Sequence, residues 1–150
     1  MKTIKIAVAL AVSALFCAAH AAEGLVKHES PHGPQETMDR LKRGVEDKGL
    51  KVFARIDHAE GAASVDQSLR PTELLVFGNP RGGTPFMQCA QTIGIDLPMK
   101  ALVWKDGNGQ VWLGYNDPAH IADRHGVSDC GVTDKLGRVL DGVARNAVAE

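Results

Sequence analysis

Two short stretches hold the residues best suited to chemistry. Asp57-His58 sets a carboxylate beside an imidazole, and an imidazole titrates near neutral pH, so it can act as acid, base or ligand. Further on, Asn79-Pro80-Arg81-Gly82-Gly83-Thr84 follows an apolar run. Gly82 and Gly83 permit close backbone approach, Arg81 adds positive charge, and Thr84 can cap a helix or donate a hydrogen bond. A loop of this kind ahead of a helix can hold a phosphate or carboxylate on the helix-start N–H groups. Each stretch also has an ordinary structural reading. Asp57 with Glu60 forms a capping box, and Asn-Pro and Gly-Gly are turn formers in their own right. The loop is not a P-loop, because no Gly-Lys-Ser/Thr follows, and it is not a GxGxxG dinucleotide fingerprint.

Metal chemistry has little to work with. His28 and His32 are four apart, but Ser30-Pro31 and Gly33-Pro34 disfavour the single helix that would align them, and His120 and His125 have the wrong spacing for one helical face. There is no HExxH, CxxC or CxxCH. The sequence names no metal site and no cofactor. Met87 and Met99 would matter to a metal-handling or partner-binding protein if exposed, but read more simply as core residues.

The elements that must position these residues follow from periodicity. Leu25 and Val26 suggest an edge-like first strand. Gly33-Pro34 starts a helix, with Met38, Leu41 and Val45 on one face and Gly49 ending it. Leu50–Asp57 alternates as a half-buried strand with Leu50, Val52, Ala54 and Ile56 on one side. A short helix follows, and Glu73–Phe77 is an apolar run read as a central strand. Thr84 as N-cap and Pro85 as first helical residue open the next helix, to about Gln91. Leu97–Lys105 and Gln110–Tyr115 form a hairpin around Asp106-Gly107-Asn108-Gly109. Asn116-Asp117-Pro118 starts a helix, and Val132, Leu136, Val139, Leu140 and Val143 mark a closing amphipathic one.

This order implies one α+β domain with a mixed sheet packed by helices. Were Leu50–Asp57 and Glu73–Phe77 parallel neighbours, Asp57-His58 and Gly78-Asn79-Pro80 would leave the sheet at one edge, the edge ligands favour in open α/β sheets. Lys100, Tyr115 and Asn116 would reach that site if the hairpin closed over it. Arg70 and Glu73, flanking Pro71, are expected to pair.

The first residues should not be folded into this domain. Lys2 and Lys5, the apolar run Ile6–Ala19, and Ala19-His20-Ala21 follow the order of a secretory signal peptide. Cleavage is expected between Ala21 and Glu23, leaving a domain over 23–150 that is periplasmic or secreted, with no membrane anchor. The whole chain has 17 Lys+Arg against 18 Asp+Glu; losing Lys2 and Lys5 leaves 15 against 18, a net charge of −3. That balance argues against nucleic acid as a partner. It leaves Cys89 and Cys130 in an oxidising compartment, either bridged or as two separate buried thiols.

IDHAEGAA, LRPTELLVFGNPRGGTPFM, DLPMKALVW and GQVWLGYNDP together resemble the bacterial family called domain of unknown function 302, over about Thr37 to Val127. The resemblance implies an α+β fold and carries no activity. The residues themselves point to an exported module that binds a small, anionic ligand at Asn79–Thr84, with Asp57 and His58 at the rim. The alternatives are a small enzyme using His58 as general acid or base, oriented by Asp57, and a metal-handling or partner-binding protein. Oligomeric state is not legible.

Overall fold

Alternation of apolar residues along five segments and a 3.6-residue rhythm in two long ones yield a sheet covered on one face by helices. The computed structural model describes residues 22–150, and the leader read in the sequence lies outside the described residues apart from its expected cleavage boundary. Strands β1 (Leu25–Ser30), β2 (Lys51–Asp57), β3 (Thr72–Gly78), β4 (Met99–Lys105) and β5 (Val111–Asn116) form one sheet in the order β1-β5-β4-β3-β2. Helices α1 (Pro34–Asp47), α2 (His58–Ala63), α3 (Pro80–Cys89), α4 (Pro118–Arg124) and α5 (Thr133–Val148) complete it, with a 3-10 turn over Gln91–Ile95. The fold is α+β.

Every strand pairing is antiparallel, which corrects the expected mixed sheet. The reason lies in the link between β2 and β3. Helix α2 has six residues, about 9 Å of rise, whereas seven-residue β2 runs about 23 Å. So short a helix does not carry the chain back along the strand, as a parallel crossover requires, and residues 64–71 after it hold the chain at the same end of the sheet. The chain turns instead, and Asp57 pairs with Glu73 while Lys51 pairs with Gly78 at the other end.

Helices α1 and α5 pack on each other and on one face of the sheet. That face carries Leu75 and Phe77 of β3, Ala101 and Val103 of β4, and Leu113 and Tyr115 of β5, all buried. Met38, Leu41 and Val45 of α1 meet them with Leu140, Val143 and Ala144 of α5. The opposite face carries half-buried Leu74, Val76, Leu102 and the stacked Trp104–Trp112 pair.

A register shift between Val52 and Ala54 breaks the expected alternation of β2. A bulge adds one residue and moves the rest of the strand's side chains to the other face. Beyond it Arg55 turns toward α1, bonding Asp39 at 2.6 Å and both oxygens of Glu73, while Ile56 is 42% exposed. Glu73 is therefore Arg55's partner rather than Arg70's; Arg70 donates to the Lys105 carbonyl. The hairpin forms as its turn residues demand, with Gly109 at φ +85° and Asp106 accepting from the Asn108 and Gln110 amides.

Candidate functional site

The stretch after β3 folds differently from its sequence reading. Helix α3 begins at Pro80 rather than Pro85, and its N-cap is Asn79, whose side chain accepts from the Gly82 amide at 2.9 Å. Asn79-Pro80 is the same N-cap and first-turn proline pairing expected of Thr84-Pro85; the earlier copy is the one used. Gly82, Gly83 and Thr84 thus lie inside a helix. Neither glycine has positive φ. A Cβ on Gly83 would sit an ordinary 3.5 Å from Leu97, while one on Gly82 would come within 3.2 Å of Leu136 of α5. Gly82 thus leaves room for the Leu136 side chain of α5 against α3.

Away from that contact the two helices part, and a cavity of about 460 Å³ opens between them. Its floor is the helix-covered end of β3 and β4, with Phe77 and Met99. Gly83 and Met87 of α3 form one wall, and Leu136, Val139 and Leu140 of α5 the other. Phe53, pushed outward at the β2 bulge and 50% exposed, stands at the mouth. Asn79 and Thr84 are the polar side chains of the lining, and the Asn79 carbonyl oxygen is already committed to its cap. The cavity lies within the usual range for small-molecule sites, but its lining is nearly all apolar.

The site residues expected from sequence divide accordingly. Asn79, Gly82, Gly83 and Thr84 line the cavity. Arg81 is exposed on the same turn. Asp57 and His58 are not at this rim, because the antiparallel pairing puts them at the far end of β2, about 17 Å of strand away. Asp57 caps α2 through the Ala59 and Glu60 amides at 2.8 and 3.0 Å, and exposed His58 is merely that helix's first residue. Lys100 points to the face opposite Met99, its ammonium donating to the Asp96 and Pro98 carbonyls. Tyr115 is buried beside His28 under α5, and Asn116 is exposed at the end of β5. The hairpin does not close over the site.

Burial, with the Asp141 and Asp117 carboxylates adding to it, pushes the Tyr115 phenol up to about 12. Asp106 is held below the usual carboxylate range, chiefly by the Trp112 indole N–H at 2.9 Å.

Cys89 and Cys130 are bridged, with Cα atoms 6.0 Å apart. The bridge ties the C-terminal end of α3 to the turn before α5, so it joins the bases of the two cavity walls. Cys89 is exposed and Cys130 buried, which sets aside the alternative of two separate buried thiols.

One polar cluster escaped the sequence reading. His125 Nε2 lies 2.7 Å from Asp96 Oδ2, its Nδ1 lies 2.8 Å from the Thr92 hydroxyl, and Arg124 donates to the other Asp96 oxygen at 2.9 Å. The ring thus bridges the carboxylate and the hydroxyl through its two nitrogens. The groups stand in the order of a nucleophilic relay, but Thr92 is exposed and outside the cavity lining. The chain of bonds fastens α4 to the 3-10 turn, whose Gly94 lines the cavity. Residues 29 to 33 positions apart give no local signal, so only the fold assembles it.

Residues 26–143 match the sequence profile of the family described as Domain of unknown function DUF302. Over 104 residues the chain is 50% identical to the Fluoride-specific ion channel FluC 1 of Brucella suis biovar 1, a match spanning 69% of this chain and 41% of that protein. It is equally similar to the Fluoride-specific ion channel FluC 2 of Brucella melitensis biotype 1, of which 38% is spanned. The chain thus matches about two fifths of the length of these relatives. Among solved structures, that of an uncharacterized conserved protein DUF302 from Bacillus stearothermophilus superposes with a TM-score of 0.77 at 18% identity. It covers 84% of this chain and 99% of the other, a likeness of fold.

Proposed function

This chain belongs to the DUF302 family, whose name assigns no activity, and we propose that it is an exported binding module for a small apolar or amphipathic molecule held between α3 and α5. The observation that carries this reading is the apolar cavity of about 460 Å³ at the Asn79–Thr84 turn. It supports the place expected from sequence and changes the ligand. A bare anion needs converging donors, and this lining supplies few; an apolar body gains roughly 25 cal/mol for each Å² it withdraws from water. The enzyme reading draws no support, since Asp57 Oδ1 caps α2 through the Ala59 and Glu60 amides and the Asp57-His58 pair lies at the end of β2 away from the cavity. Export rests on the leader's sequence. Channel activity belongs to the longer relatives, and no described helix is long and apolar enough to cross a membrane.

The neutral dye N-phenyl-1-naphthylamine tests the cavity. It should bind saturably, one per chain, and Gly83→Val should weaken it at least tenfold by filling the space beside Leu97. Because Gly83 is helical and a Cβ there meets only an ordinary contact, Gly83→Ala should melt no lower than the parent, and Gly83→Val is compared once circular dichroism shows it folded. Absence of saturable binding, or unchanged affinity in a folded Gly83→Val protein, would sink the proposal.

A further inference from the structure

The mouth of the cavity is charged where its interior is not. Lys51, at the start of β2, lays its ammonium 5.3 Å from the centre of the Phe53 ring, and Phe53 stands at the opening. Arg81 rises, exposed, between Pro80 and Gly82, both of which line the cavity. Among the described residues neither cation has a carboxylate partner within salt-bridge distance, so both charges are open to a ligand. On the other wall, the α5 segment that supplies Leu136, Val139 and Leu140 also carries Lys135 and Arg138, with Asp134 and Asp141 at its two ends and Asp141 already paired with Arg145. Asp96, the carboxylate nearest in sequence to the cavity residues Gly94 and Leu97, is already bonded to Arg124 and His125. A domain with an excess of acids over bases thus sets two cations, Lys51 and Arg81, beside its apolar opening.

Resting on the binding reading above, we infer that the ligand is an amphipathic anion. Its apolar chain enters between α3 and α5, and its carboxylate or other acidic head stays at the mouth with Lys51 and Arg81. The division of labour is physical. Burial of the chain supplies affinity, while solvent-exposed charges each add little and are screened by salt. The head therefore sets orientation and preference among ligands of equal chain length. Arg81, whose role in the sequence reading was to hold a bare anion, keeps an anionic partner but loses the duty of binding it alone.

Decanoate and 1-decanol, which share a chain and differ in the head, separate the two parts when each displaces N-phenyl-1-naphthylamine from the full domain. At low salt decanoate should bind about three- to tenfold more tightly than decanol, from two exposed pairs, and the gap should narrow as salt rises. The double variant Lys51→Ala, Arg81→Ala should erase the gap without changing decanol binding or the melting temperature. Equal affinities in the parent, or a gap that survives the double variant, would overturn the anionic head and leave the apolar site standing. Failure of both ligands to displace the dye would overturn the site along with it.

Discussion

The α1–α5 layer and the α3 flank cover neighbouring parts of one sheet by opposite means. Under α1 and α5, Met38, Leu41, Val45 and Val143 are at most 1% exposed and interdigitate with the strands. Around α3, Phe86 alone is fully buried; the helix is otherwise held by its Asn79 cap, its touch on Leu136, and the disulfide. The first region is stabilised by packing. In the second a covalent tie stands where packing rests on Phe86, and the space left between the walls is the cavity. A helix packed as tightly as α1 would leave nothing to bind into.

The sharpest way to break this contrast is to truncate one leucine in each region. Leu41→Ala should cost about 2–5 kcal/mol, since it removes transfer energy and leaves an enclosed void. Leu136→Ala, on a wall that already borders open space, should cost less than about 1.5 kcal/mol by the same reasoning. Urea denaturation of the two variants reads the difference, and equal losses would mean that the α3 flank is packed like the core.

The disulfide comes next. With its ends separated by 41 positions in the sequence, chain-entropy reasoning bounds its contribution at about 4 kcal/mol. Reduction should lower the melting temperature and speed amide exchange in Pro80–Ile95 before α1 or β4 is affected. Uniform loss of protection would show that α3 is no separate flank. Two free thiols in the carefully isolated native protein would remove the bridge altogether.

The smallest effect sharpens the packed side. Tyr115 is the chain's one tyrosine, so tyrosinate absorbance reports it without interference. Its folded pKa is raised from 10.0 to about 12, so the unfolded chain releases the proton first. The stabilisation is complete below pH 10 and lost as pH rises toward 12. A midpoint near 10 in the folded protein would show the layer under α5 open to water.

What was legible in the sequence was what periodicity and caps encode locally. Pro34 and Gly49 bound α1, the Asp106–Gly109 turn sets the hairpin, and Asp57 and Asp117 cap their helices as expected. The cavity's address at Asn79–Thr84 was legible too, because a strand ending in turn residues before a helix marks a place where the chain must bend. Strand direction was not. It depended on the path of residues 58–71 between the two strands, which local patterns do not encode, and that error carried Asp57-His58 to the wrong end of the sheet. Nor was the chemistry of the lining, because Leu136, Val139 and Leu140 come from a helix more than fifty residues downstream and read alone as ordinary core. Two adjacent helix-start signals, Asn79-Pro80 and Thr84-Pro85, also compete, and no local rule chooses between them.

The central claim, that the gap between α3 and α5 is where the ligand sits, is met most directly by a methyl NMR titration with decanoate. Saturating shifts should appear at Met87, Met99, Leu136 and Val139, while Val76 and Leu102 on the opposite face of the sheet stay still. Shifts confined to Val76 and Leu102, or none at the four cavity methyls at saturating decanoate, would contradict it.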